Sequence, residues 1–142
     1  MSAAEQIKDV DTTNPESKPK TPIFRDVADD DEKAAEKAKL EFRKTFYFEC
    51  ENPDDPSKPF AGNFTCHRLN IGEQGQVGVE KARLNAGLVV DRGTDWLHEA
   101  MAYLTYALSD APEWWNPAAM FDPTPLREMF LYVKAWERSF RK

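Results

Sequence analysis

The feature that most constrains the fold is the helical spacing of apolar residues across 95–111. Positions on one face recur at intervals of three and four, which is the period of an α-helix with a buried side. They are Leu97, Ala100, Met101, Leu104, Leu108 and Ala111. Aromatic residues on the adjoining faces predict that this helix is central and touched on more than one side. Thr94 is its expected N-cap, and Pro112 is expected to end it.

A second helix is predicted after Asn70, ending near Gly87. Small residues at helical spacing would let another backbone approach one face closely; they are Gly75, Gly78, Ala82 and Ala86. Because each helical glycine costs about 1 kcal/mol relative to alanine, the sequence leaves a second interpretation open. In that interpretation the helix begins only after Gly78.

The last predicted helix starts with Thr124 as N-cap and Pro125 at its first position. One face of it is apolar, formed by Leu126, Met129, Phe130, Val133, Trp136 and Phe140. Before the helices, residues 45–50 and 63–69 are typical of strands, and the proline-rich segment between them is typical of a loop. The simplest arrangement is an antiparallel β-hairpin over 45–69 that packs on the helices.

Residues 1–28 show no sustained apolar period and are predicted to be an extended or disordered arm. The apolar island at Ile23 and Phe24 is expected to dock either on a partner or on the body of the chain. Acidic residues at 29–31 predict the start of a polar lead-in helix over 29–43. The predicted class is therefore α+β, mainly helical. A single domain over 29–142 is expected, with its helical part at 71–140.

Charge argues against binding to nucleic acid. The formal net charge is −6, whereas affinity for phosphates depends on a basic surface. No apolar run approaches the roughly 20 residues of a membrane-spanning helix, and the N-terminus has no apolar segment resembling a secretory signal. A cytoplasmic protein without a membrane partner is expected.

The reactive side chains of the sequence predict no enzyme, cofactor site or metal site. His67 and Cys66 are neighbours in a strand and point to opposite faces. His98 lies at the rim of its helix, and neither histidine has an evident partner acid. Cys50 and Cys66 are too few for the usual zinc site. They are expected to be free thiols, with a cross-strand disulfide as the alternative.

Large apolar residues, all but one of them aromatic, are instead the candidate partner-binding set: Ile23, Phe24, Phe46, Phe48, Trp114 and Trp115. The two tryptophans have two interpretations, as a clamp within the core or as an exposed anchor for a partner. We expect one ring to be buried and the other exposed. An enzyme or small-molecule binder with a pocket beneath these rings is a third class of function.

The order FYFEC, NFTCHRLNIGEQGQVGV, ARLNAGL and WLHEAMAYLTYALSDAPEWW, followed by an amphipathic helix, resembles the tail assembly chaperones of tailed bacteriophages. The resemblance covers about residues 44–140, and its strongest signature is the DAPEWW turn. It implies a small, acidic, non-enzymatic protein that binds the tape measure protein and the tube subunit. The N-terminal arm and the lead-in helix, whose apolar face is narrow, are features that a compact chaperone would not have.

Two functions are therefore expected. The first is a tail assembly factor in the host cytoplasm that covers apolar surface on other tail proteins. The alternative is a minor structural protein of the virion, in the baseplate, the tail or the head-to-tail joint, anchored by its N-terminal arm. The sequence leaves open whether the chain forms a homo-oligomer.

Overall fold

The structure, a computed structural model, describes residues 22–27, 33, 36–37 and 42–140. Four strands occur in this part of the chain: β1 (Ile23–Asp26), β2 (Arg43–Cys50), β3 (Phe60–His67) and β4 (Leu108–Asp110). The helices are α1 (Ile71–Leu84), α2 (Arg92–Ala107) and α3 (Thr124–Arg138), with a 3-10 turn at Pro117–Ala119. No described helix has the length and apolar character to cross a membrane.

The strands form one antiparallel sheet in the order β1-β2-β3-β4. The predicted hairpin is confirmed as β2 and β3, with Phe46 opposite Phe64. Alternate residues of each strand face opposite sides, and the side that carries these two phenylalanines is buried against the helices. The predicted α+β class is confirmed.

The apolar island of the N-terminal segment docks on the body of the chain. Phe24 of β1 pairs with Phe48 of β2, and its ring stacks on Tyr132 of α3 at 4.0 Å between centroids. Most of the predicted arm and lead-in helix lies outside the described residues, although residues 33, 36 and 37 are helical. The predicted end of that helix at Arg43 is wrong, because Arg43 begins β2.

The core centres on Phe64, which is fully buried. Four rings lie within 6 Å of its centroid: Phe46, Phe48, Trp114 and Trp115. The predicted buried face of α3 supplies much of the rest, with Leu126, Met129, Phe130 and Val133 all buried. The core is therefore an aromatic layer held between one face of the sheet and the helices.

The central helix α2 begins before the predicted Thr94 cap, at Arg92, and ends before the predicted stop at Pro112. Its N-cap is Asp91, whose carboxylate accepts hydrogen bonds from the backbone N–H and hydroxyl of Thr94. It ends at Ala107, and Leu108 does not continue it but begins β4 opposite Cys66. Pairing with β3 therefore replaces the last helical turn that the periodicity favoured. At α3, similarly, Asp122 accepts the hydrogen bonds and Thr124 is the first helical residue.

Helix α1 begins at Ile71, so the interpretation with a start after Gly78 is wrong. Asn70 and Glu73 form a capping box, with each side chain accepting the other's backbone N–H. The helix ends at Leu84 rather than near Gly87. Its small-residue stripe is exposed, and a Cβ built on Gly75 or Gly78 meets nothing within 4 Å.

Strand β4 pairs with only one end of the outer edge of β3. The DAPEWW turn covers part of the rest of that edge. The Trp114 indole N–H donates to the carbonyl of Ala61 at 3.0 Å, and Pro112 lies against Gly62. A Cβ built on Gly62 would come within 2.5 Å of the Pro112 Cγ. Glycine at this position therefore lets the turn approach the strand.

Replacing Gly62 with alanine is expected to lower the free energy of unfolding by about 1–3 kcal/mol, because the added methyl group overlaps the proline ring. Gly75→Ala is the matched control. Its methyl group has free space, so the better helix propensity is expected to stabilise the chain by about 0.5–1 kcal/mol. Urea denaturation of both variants checks the pair, and a Gly62→Ala variant as stable as wild type would contradict the close approach.

Candidate functional site

An open apolar groove lies where the β2–β3 loop meets the segment after the DAPEWW turn. Its volume is about 220 Å³. The apolar lining consists of Pro53, Phe60, Trp114, Ala119, Met120 and Phe121. The polar lining consists of Asn52, Asp54, Asn116 and Asp122. One of the predicted partner-binding residues, Trp114, therefore forms part of this groove.

The floor of the groove is held rigidly. The ring centroids of Phe60 and Trp114 are 5.0 Å apart, and the hydrogen bond from Trp114 to Ala61 fixes the indole against β3. On its other side Trp114 contacts the buried Phe64 ring at 5.7 Å. The exposed part of the indole is therefore presented from a fixed position, which lowers the entropy lost on binding.

Phe121 forms the rim of the groove and is 90% exposed. It follows the 3-10 turn and immediately precedes Asp122, whose carboxylate is fixed to Thr124 at the start of α3. The backbone on both sides of Phe121 is therefore held by local hydrogen bonds. A large apolar side chain displayed in this way marks a surface that another molecule can cover.

The two charged residues of the groove, Asp54 and Asp122, are both acidic. Neither carboxylate pairs with a cation among the described residues. Nearby, burial raises the pKa of the Cys50 thiol to about 11, and the negative charge of Asp122 contributes to that shift together with two glutamates. The field at this end of the molecule is therefore negative.

The other predicted partner-binding residues lie elsewhere. Phe46 and Phe48 are completely buried, so in this fold they are core residues and the prediction of a contact surface is wrong for them. Phe24 packs on the same core, while Ile23 is exposed on β1. Trp114 and Trp115 are both half-buried, which corrects the expectation that one would be buried and the other exposed.

The two cysteines do not form a disulfide. In the hairpin Cys50 lies opposite Phe60, whereas Cys66 lies opposite Lys44, so the thiols are separated by six positions along the sheet, or about 20 Å. Burial raises the pKa of the Cys66 thiol to about 12. Both thiols are therefore protonated at neutral pH and poorly nucleophilic.

His67 does have a partner acid, so the expectation from the sequence is wrong for this histidine. Its Nε2 lies 2.9 Å from a Glu73 carboxylate oxygen, and its Nδ1 lies 2.7 Å from the Ser109 hydroxyl. The other Glu73 oxygen accepts the Asn70 backbone N–H. This array ties β3, β4 and the start of α1 together. We interpret it as structural, because Glu73 is at the same time the capping-box residue of α1.

Replacing Glu73 with glutamine is expected to lower stability at neutral pH by about 0.5–2 kcal/mol through a weakened cap. Hydrogen bonds from Asn70 and then His67 lower the pKa of Glu73. Its charged form therefore stabilises the fold above the unfolded pKa near 4.5, and this contribution is lost as pH falls through the folded pKa. Urea midpoints should consequently fall less between pH 6 and 3 in Glu73→Gln than in wild type.

Glu80→Gln serves as the control, because it removes a carboxylate from the same helix whose one ion-pair partner among the described residues is the exposed Arg83. A Glu73→Gln variant with the pH dependence of wild type would contradict the assigned role of the array.

Among the described residues, no group of three or more histidine, cysteine or carboxylate side chains is placed to hold a metal ion. Comparisons of the chain with protein-family models, with curated proteins and with solved structures found no match.

Proposed function

We propose that the chain is a non-enzymatic tail assembly factor of a tailed bacteriophage, and that it binds another tail protein through the groove at Trp114 and Phe121. The observation that carries the binding proposal is the exposure of Phe121 beside a rigid aromatic floor. The choice of a tail protein as partner rests on the resemblance of residues 44–140 to tail assembly chaperones.

The energetics favour a small interface anchored on a few residues. Fully burying one phenylalanine side chain contributes about 1.5–3 kcal/mol, and a single well-placed aromatic residue often dominates binding. Phe121 is almost fully exposed and its neighbours are already ordered. A partner that covers it would therefore gain this energy at little conformational cost.

Affinity capture from cells in which the phage replicates tests the proposal, with the captured proteins identified by mass spectrometry. The wild-type chain is expected to capture a tail protein. Phe121→Ala should reduce that capture by about tenfold, which corresponds to about 1.4 kcal/mol. Leu131→Ala, which truncates an exposed leucine on α3, is the matched control and should capture normally. Failure to capture a tail protein, or capture that is insensitive to Phe121→Ala, would contradict the proposal.

The alternative is a minor structural protein of the virion, in the baseplate, the tail or the head-to-tail joint. One observation favours it: a second apolar surface on α1 and the following loop. Ile71, Val79, Leu88 and Val89 are all largely exposed there, and the neighbouring Gly75 and Gly78 leave room for a closely packed neighbour. A component enclosed by other subunits would have both surfaces covered.

Mass spectrometry of purified virions distinguishes the two functions. A stoichiometric amount of the chain in the particle would favour the structural role, and its absence would favour the assembly factor. A test of the N-terminal arm should delete residues 1–21 only, because β1 pairs with β2 and contributes Phe24 to the core. Normal incorporation of that truncated chain would count against anchoring by the arm.

A further inference from the structure

We propose that the groove at Trp114 and Phe121 binds an apolar protein segment that carries a lysine or arginine next to its anchoring side chain. This inference rests on the proposed binding function and names the chemistry of the partner. Its basis is the combination of an aromatic floor with a rim whose charged groups are all acidic.

The size of the groove favours one anchoring side chain over a free small molecule. Its volume is about 220 Å³, whereas pockets for small-molecule ligands usually enclose about 300–1,000 Å³. The groove is also open at its rim, where Phe121 is exposed. A side chain that enters between Phe60 and Phe121 would leave the rest of its chain lying across the rim.

The rim carboxylates lie where they can meet a flanking cation. Asp54 has no cationic partner among the described residues, and its backbone N–H donates to the Asn52 side chain, which fixes the loop. One Asp122 oxygen accepts both hydrogen bonds from Thr124, so the other oxygen is free of those bonds. Lys58 lies in the same loop but not in the lining of the groove.

Charge is expected to select the partner more than to hold it. An exposed ion pair contributes about 0.2–1 kcal/mol, so two of them change affinity by about two- to thirtyfold at most. Complementary charge mainly speeds encounter and excludes segments of the wrong sign. An acidic segment would place like charges together at Asp54 and Asp122, and its binding would be disfavoured.

A library of short random peptides is the probe, selected on the full chain at low ionic strength. Three proteins are used: wild type, Phe121→Ala, and the double variant Asp54→Asn/Asp122→Asn. Asparagine keeps a side-chain oxygen that can accept the two hydrogen bonds from Thr124, so the double variant is expected to fold. Circular dichroism and urea denaturation confirm this before selection.

Peptides enriched by wild type but not by Phe121→Ala are expected to pair an apolar residue with a nearby lysine or arginine. The excess of basic residues over the unselected library should be about threefold, equivalent to about 0.7 kcal/mol. The double variant should enrich the same apolar residues without the basic excess. Affinity for the selected peptides should fall with added salt for wild type and change little for the double variant.

The outcomes separate the two proposals. Enrichment that depends on Phe121 but shows no basic excess, or shows an acidic one, would overturn the inference about charge and leave the binding function intact. A basic excess that persists in the double variant would also overturn it, because the rim carboxylates would then not be the cause. No enrichment that depends on Phe121 would overturn both proposals.

Discussion

Replacing Phe64 with alanine is expected to lower the free energy of unfolding by about 3–5 kcal/mol. The ring is fully buried and contacts four other aromatic rings at centroid distances of 5.3–5.8 Å. These contacts join β2 to the DAPEWW turn, so the cavity left by alanine would be lined by side chains from several elements. Packed rings fixed by the sheet relax little, which makes collapse of the cavity incomplete.

Phe121→Ala is the control, since it removes the same side chain from a position that is 90% exposed. Its effect on stability is expected to be within about 0.5 kcal/mol. Urea denaturation monitored by tryptophan fluorescence measures both variants, and the change in midpoint at constant m-value gives the difference. A small loss for Phe64→Ala would mean that the aromatic cluster is not the centre of the core. In the affinity-capture experiment, Phe64→Ala and Phe121→Ala together separate a loss of binding caused by unfolding from one caused by the missing Phe121 ring.

The hairpin and the cores of the three helices could be predicted from the sequence because their signals are local. Alternation in 45–50 and 63–69 and the helical period of 95–107 follow from the geometry of one element. Strand β4 could not be predicted in this way. Leu108 fits the helical period of α2, yet the chain leaves the helix because residues 108–110 pair with β3. The change from helix to strand depends on pairing with the free edge of β3, which lies more than 40 positions earlier in the sequence.

The same limit applies to the groove. Trp114, which lines the groove, could be proposed as a candidate from its residue type. Phe46 and Phe48 could not be recognised as buried, since alternation defines two faces of a strand without saying which one the helices cover. Met120 and Phe121 were missed because they belong to no periodic element. The one signal that could have indicated them is their position as two large apolar residues directly before Asp122, whose carboxylate accepts hydrogen bonds from Thr124 at the start of α3. The pairing of His67 with Glu73 was missed because it joins the end of β3 to the start of α1, and it depends on how the chain turns between these two elements.

Replacing Phe24 with alanine is expected to lower the free energy of unfolding by about 2–4 kcal/mol. Its ring stacks on Tyr132 at 4.0 Å and contacts Phe46 and Phe48 at 5.9 and 5.0 Å, so it closes one side of the aromatic core. Most of the free energy that holds β1 on the body of the chain should come from this ring, because the strand has only four residues. Loss of the ring should therefore release β1 as well as destabilise the core.

Urea denaturation measures the loss of stability, and amide hydrogen exchange of the β1–β2 pairs measures the release of the strand. Ile23→Ala is the matched control on the same strand, where the side chain is 43% exposed and truncation should cost less than about 1 kcal/mol. If Phe24→Ala left both stability and exchange unchanged, β1 would be an accessory to the sheet, and the whole segment 1–28 could be deleted as a test of the arm. If Phe24→Ala lowers the free energy of unfolding by the expected amount, the boundary of the folded body lies before Ile23. The effects of deletions that remove β1 would then report on unfolding and not on assembly.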